Sequence, residues 1–206
     1  MIPEQNRVTQ QVFPTLIQVT THPNAEMVNS ALLSDIEQIR EETPNGRPGN
    51  WSCDLYTTMT NEGRLQGRPA FKEFADFAKT CAMQFGSIMS YKFGDKNMHL
   101  NDCWLNIYTG GHSQDTHVHQ NNLISAVYFV AAPAGCSGLM FYSPRQYAMI
   151  QPDLTEITPI NAIQTEYTPS PGDLVLFDSA VKHSVPVNET EAERITIAMN
   201  FSLEHT

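Results

Sequence analysis

With 206 residues and a formal net charge of −10 at pH 7, the chain is long enough for one domain of good size, and its acidic balance disfavours phosphate backbones and anionic membrane surfaces as partners. Four scattered cysteines, Cys53, Cys81, Cys103 and Cys136, form no CxxC pair and read as reduced, mostly buried thiols rather than a disulfide framework. The opening stretch MIPEQNRVTQQVF lacks an apolar secretory core and no apolar run approaches a bilayer span, so the expected location is the cytoplasm.

In chain order, VFPTLIQVT (Val12 to Thr20) reads as an opening strand. Pro23 and Asn24 begin a helix expected to run to about Glu42, on which Met27, Leu32, Leu33, Ile36 and Ile39 recur at helical spacing. TPNGRPGN is a loop dense in turn formers. A second helix after Pro69 carries Phe71, Phe74, Phe77, Ala78, Cys81, Phe85 and Ile88 as one apolar stripe, which reads as core packing rather than an aromatic binding box. From His99 onward the candidate elements are strands: LNDCWLNIY, NLISAVYFV, SGLMFYS, NAIQTEY, DLVLFD, HSVPV and ERITIAMNFSL. Several alternate at period 2, and AAPAGCSG and PSPGD between them are turn chemistry. Short antiparallel strands in such a succession predict a mainly β sandwich, barrel or jelly roll. The whole chain, residues 1–206, is expected to form a single domain. A helical cover of about 1–98 would lie over one face of a β core of about 99–206.

The stretch DTHVHQNNLISAVYFV carries the chemistry. In an extended segment His117 and His119 project to one face and can reach one point in space. A third histidine, His183, follows SPGDLVLFDSAVK, where a strand ends at a bend. Arg194 enters the apolar strand ERITIAMNF, and an inward arginine is costly unless an anion meets it. Thr196 shares its face and can add a hydroxyl. Together these residues predict a metal site with an anionic co-ligand, in the facial arrangement of non-heme iron(II) oxygenases. Arg194 would clamp the far carboxylate with its planar fork.

Other residues carry two readings each. Asp115 shares the His117 face and is either a ligand or a partner that orients an imidazole. Trp104, Asn106 and Tyr108 alternate along one strand, as core or as the floor of a cosubstrate pocket. Asn106 stands out, because a buried amide needs partners. Tyr128 is either core or a phenol donor to the cosubstrate. Arg145 is either a loop arginine or a contact to a substrate anion. The plain alternatives for the main residues are an exposed strand edge for the His pair and a surface pairing of Arg194 with Glu191 or Glu193.

The sequence resembles the 2-oxoglutarate/Fe(II)-dependent dioxygenases, and within them a family of small oxygenases known mostly from bacteria and phages. The likeness rests on FPT, Trp51-Ser52, CWLNIY, HVHQNNLISAVYFV, SGLMFYSPR, PGDLVLFDSAVKHSV and ERITIAMNF, in that order. It implies a double-stranded β-helix, or jelly roll, with Fe(II) at His117, His119 and His183 and 2-oxoglutarate at Arg194. The implied reaction couples oxidative decarboxylation of 2-oxoglutarate to hydroxylation of a C–H bond. One position departs from the broad superfamily, where the second ligand is Asp or Glu and here is His119. That departure keeps open a three-histidine, cupin-like metal dioxygenase that does not use 2-oxoglutarate. A non-catalytic jelly-roll module is the third reading. The partners expected are dioxygen and a small-molecule or protein side-chain substrate, with neither nucleic acid nor membrane. The outer helices are the natural surface for a homodimer.

Overall fold

The computed structural model describes residues 7–145 and 152–205; the parts of the expected cover and core at 1–6, 146–151 and 206 lie outside the described residues. The elements in chain order are β1 (Ile17–Thr21), α1 (Ala25–Glu42), β2 (Tyr56–Thr57), α2 (Lys72–Ile88), β3 (Lys96–Tyr108), β4 (Gln114–His117) and β5 (Ile124–Ala131). They continue with β6 (Leu139–Tyr142), β7 (Gln164–Tyr167), β8 (Asp173–Asp178), β9 (His183–Val185) and β10 (Arg194–His205). Two antiparallel sheets result, a larger one in the order β1-β8-β5-β10-β3-β2 and a smaller one in the order β4-β9-β6-β7. This is the jelly-roll arrangement, with both helices outside the larger sheet.

Period-2 alternation divides each central strand between two environments. On β10, Ile195, Ile197, Met199 and Phe201 join the core beneath the helices, whereas Arg194, Thr196, Ala198 and Asn200 line a cavity on the other face. On β3, Cys103, Leu105 and Ile107 face the helices, while Asp102, Trp104, Asn106 and Tyr108 face the cavity. A shift of register between Asn200 and Phe201 lets Leu100 reach the helix side along with Cys103.

The helices supply the matching apolar stripes. Leu32, Ile36 and Ile39 of α1, with Phe74, Ala78, Cys81, Ala82 and Phe85 of α2, are all buried against the sheet. Each large side chain so buried contributes about 1.5–3 kcal/mol. A second, smaller core lies between the two sheets, built on Phe129, Phe141, Val175, Phe177 and Val185.

The N-terminal half differs from its expected form in three ways. The opening strand starts only at Ile17, because Phe13 adopts a positive φ of 60° and Pro14 follows it. Strands β1 and β2 join the larger sheet at its two edges, so the first half of the chain contributes sheet as well as cover. Met27 and Ile88, expected on the buried stripes, are exposed. All four cysteines are free thiols, with Cys53, Cys81 and Cys103 buried. No helix among the described residues is long and apolar enough to cross a membrane.

Candidate metal and cosubstrate site

The cavity between the sheets holds about 500 Å³ and is lined by His117, His119 and His183 together with the inward residues of β3 and β10. Strand β4 ends at His117, which pairs directly across to His183 on β9. His119 lies beyond the strand, in the turn toward β5, where its backbone N–H donates to Ser179 O at 3.0 Å. The expectation of two histidines on one strand face is therefore corrected. Pairing between strands places His117, and a bond to a different loop places His119.

The three ring nitrogens able to bind a cation lie within 4.8 Å of one another. His119 Nε2 and His183 Nε2 are 3.2 Å apart. The other nitrogens are occupied locally. His117 Nδ1 is 2.7 Å from Asp115 O, and His183 Nδ1 is 3.0 Å from Val181 O, in each case the carbonyl two residues upstream. A carbonyl only accepts, so each Nδ1 carries the proton and each Nε2 keeps its lone pair.

Burial pushes all three ring pKa values down, and for His119 and His183 the neighbouring imidazoles add to the effect. His119 is held at about 4 and His183 at about 3, with His117 lowered as well. All three are neutral at neutral pH, the form that binds a metal. Three converging neutral imidazoles are a donor set suited to a divalent transition metal such as iron(II).

The second feature is Arg194, which is fully buried. Its Nε donates to Ser137 O at 2.8 Å and its Nη2 to Gly138 O at 3.4 Å. The guanidinium stacks between the rings of Tyr108 and Phe129, at 4.7 and 4.9 Å from their centroids. Its Nη1 has no partner. No carboxylate is paired with this buried charge among the described residues; the expected alternative partner Glu193 instead binds Arg40 at 3.0 Å. A buried cation with one free donor on a cavity wall has the chemistry that suits an anion.

The remaining predicted residues divide. Thr196 lines the cavity, and its hydroxyl lies 3.5 Å from Asn106 O. The Asn106 amide, oriented to satisfy its neighbours, donates to Thr57 Oγ1 at 2.7 Å and Leu105 O at 3.1 Å and accepts from Trp104 Nε1 at 3.2 Å. It forms a fixed part of the wall. Asp115 lines the cavity too, but its carboxylate accepts from the Ser52 hydroxyl and is not among the converging donors.

Tyr128 lies elsewhere. It has the opposite parity from Ser125, Val127 and Phe129, packs on Phe74, and donates to Asn29 Oδ1 at 2.6 Å under the helices. Arg145 does not line the cavity either; its guanidinium donates to Ile160 O at 2.8 Å. His112 sits in the Gly110-Gly111 turn, where its Nδ1 accepts from Thr109 N–H at 3.2 Å.

Several lining residues were not anticipated. Asp102, Gln114 and Asn200 all face the cavity. The polar positions Asp102 and Asn200 within otherwise apolar strands were the readable signal.

Residues 102–200 match the sequence profile of the family described as "Putative 2OG-Fe(II) oxygenase". No curated protein matches the chain. Among solved structures, a prolyl-4-hydroxylase from Pseudomonas putida aligns over 91% of this chain and 92% of its own, at 15% identity and a TM-score of 0.60. A prolyl hydroxylase from Trichoplax adhaerens, solved with a hypoxia-inducible-factor peptide, aligns over 90% and 82%, at 14% identity and 0.59. HygX from Streptomyces hygroscopicus, solved with nickel, 2-oxoglutarate and hygromycin B, aligns over 91% and 83%, at 12% identity and 0.62. Likeness at this identity speaks for the fold, and the profile match speaks for the segment that it covers. Residues 102–200 thus carry the domain described as "Putative 2OG-Fe(II) oxygenase", and its three converging imidazoles fit iron binding.

Proposed function

We propose that this protein is a 2-oxoglutarate-dependent hydroxylase in which His117, His119 and His183 hold iron(II) and Arg194 holds the far carboxylate of 2-oxoglutarate. The observation that carries the reading is the unpartnered Nη1 of Arg194, on the wall of the cavity into which the three imidazoles converge. A metal enzyme without an anionic cosubstrate would have no use for that buried charge.

When bound, iron(II) supplies the redox chemistry that couples loss of carbon dioxide from 2-oxoglutarate to oxygen insertion into a substrate C–H bond. The protein supplies placement. Asp115 O and Val181 O hold two of the rings in the metal-binding tautomer. Ser137 O and Gly138 O hold the Arg194 fork, so that its free donor is fixed before the cosubstrate arrives. Thr196, two residues along the same face, adds a hydroxyl to the anion subsite. Tyr108, Val127 and Leu139 give the cavity an apolar share of its lining, with the Tyr108 ring against the guanidinium, and a less polar surrounding strengthens a charge contact.

The test is succinate release by the purified protein with Fe(II), ascorbate and 2-oxoglutarate, with and without candidate substrates. Slow uncoupled succinate formation that depends on Arg194 supports the reading. Metal-dependent oxygen consumption with no requirement for 2-oxoglutarate would favour the three-histidine dioxygenase, which the imidazole at position 119 fits.

A further inference from the structure

The cavity is electrically polar along its length. The residues of β3 and β10 that face it form four cross-strand pairs: Tyr108 with Arg194, Asn106 with Thr196, Trp104 with Ala198 and Asp102 with Asn200. At about 3.4 Å per residue the first and last pairs stand about 20 Å apart. Among the described residues that line the cavity, Arg194 at one end is the only lysine or arginine. Asp102 is at the other end, and Asp115 is the second carboxylate of the lining. Trp104, next to Asp102 in the row, lies against His119 with ring centroids 5.7 Å apart. Asp102 is therefore within a short reach of the metal-binding rings, on the side away from Arg194.

The wall holds Asp102 in place. The buried Asn200 donates Nδ2 to Asp102 Oδ2 at 3.2 Å and accepts at Oδ1 from Ser125 Oγ at 3.0 Å. Ser125 Oγ lies 2.8 Å from Ser179 Oγ, which continues the chain of polar groups to the next loop. A carboxylate only accepts, so the direction of these bonds is fixed. Asp102 Oδ1 takes no hydrogen bond among the described residues. The cavity thus offers an idle donor on Arg194 at one end and an idle acceptor on Asp102 at the other.

We propose that the substrate carries a protonated nitrogen, an ammonium or guanidinium group, and that Asp102 binds it. This rests on the hydroxylase reading and names the substrate class for that same cavity. Charge carries the argument. Iron(II) and the dianion of 2-oxoglutarate cancel, and imidazoles that ligate a metal are neutral. Arg194 then offsets one of the two carboxylates, so one negative charge of the loaded cavity is left unmatched. A cationic substrate completes the balance. An anionic one would add a second unmatched charge, and that repulsion excludes it. Trp51 and Trp104 in the lining suit an organic cation as well, because aromatic faces attract positive charge.

Both tryptophans of the chain line the cavity, so their two indole N–H signals in ¹H–¹⁵N spectra report what enters it. The experiment uses the full chain loaded with 2-oxoglutarate and with zinc(II), which is diamagnetic and without redox chemistry, in place of iron. Three probes of one length, 5-aminopentan-1-ol, pentane-1,5-diol and 5-hydroxypentanoate, are positive, neutral and negative. The amino alcohol should shift the indole signals saturably and bind at least about tenfold more tightly than the diol, with no saturable shift from the acid. Asp102→Asn keeps an acceptor for Asn200 but removes the charge, and should bring the amino alcohol down to the level of the diol.

A blocked tripeptide with a central lysine, run beside its Nε-acetyl form, separates the two sources of such a nitrogen. A shift from the lysine peptide alone supports the site with a protein side chain as its occupant. A shift from the amino alcohol and from neither peptide supports it with a free amine. Equal affinity of the wild type for the amino alcohol and the diol overturns the proposal, as does an unaltered preference in a folded Asp102→Asn protein. If that variant does not fold, the charge series on the wild type decides alone. Binding of 2-oxoglutarate without preference for the cation overturns this inference and leaves the hydroxylase reading standing, whereas failure of 2-oxoglutarate to bind overturns both.

Discussion

His117 and His183 stand directly opposite one another in the antiparallel pairing of β4 with β9, with ring centroids 4.3 Å apart. Two residues far apart in sequence are thus made neighbours by backbone hydrogen bonding, and each ring is steadied by its own local carbonyl. Metal binding at such a pair should need both. His183→Ala is expected to lower manganese(II) affinity at least about a hundredfold, because the two remaining imidazoles make a much poorer site. Isothermal titration of the metal-free protein would check this; an affinity within tenfold of wild type would remove His183 from the ligand set.

Arg194 offers a test with two opposite signs. Its charge is wholly buried and one donor is idle. Arg194→Leu is expected to leave the metal-free protein as stable as before or more stable, by about 1–4 kcal/mol, since an unmatched buried charge is replaced by apolar volume. The same variant should lose about 2–5 kcal/mol of 2-oxoglutarate binding, while metal affinity is kept. Thermal melts and a 2-oxoglutarate titration decide it. A large fall in stability with unchanged cosubstrate affinity would mean that the arginine is structural.

Tyr128 provides the control. Its hydroxyl is bonded to Asn29 on the helix side of the sheet. Tyr128→Phe should cost about 1–3 kcal/mol of stability by leaving a buried amide oxygen short of a donor. It should not alter 2-oxoglutarate affinity, and weaker cosubstrate binding in this variant would contradict the placement.

The buried histidines also predict how the metal-free protein responds to acid. His22, His117, His119 and His183 all have ring pKa values lowered by burial, His119 to about 4 and His183 to about 3. In the unfolded chain each would titrate near about 6.5. Between those values the unfolded state binds more protons, so folding stability is complete above about pH 6.5 and falls as the pH drops. The window from about pH 6.5 to 5 isolates this effect, since carboxylates titrate lower. Denaturant midpoints measured with chelator across that window should decline steadily; a flat or rising trend would refute it.

The sequence by itself determined the two helices, the succession of strands after His99, and the histidines and arginine that the fold gathers around one cavity. Those features are local: apolar spacing, turn residues and an arginine in an apolar strand are legible without knowing what packs against them. Tertiary structure decided the rest. His117 and His119 share a strand parity on paper, yet the strand ends between them, because β4 can extend only as far as β9 is there to pair with it. Tyr128 and Phe129 are equally apolar neighbours, and only the position of the helices tells which of them faces Arg194. Asp102 and Asn200 lie at opposite ends of the matched segment, and what joins them on one wall of the cavity is the register of β3 against β10, a property of paired backbones that a linear pattern does not carry.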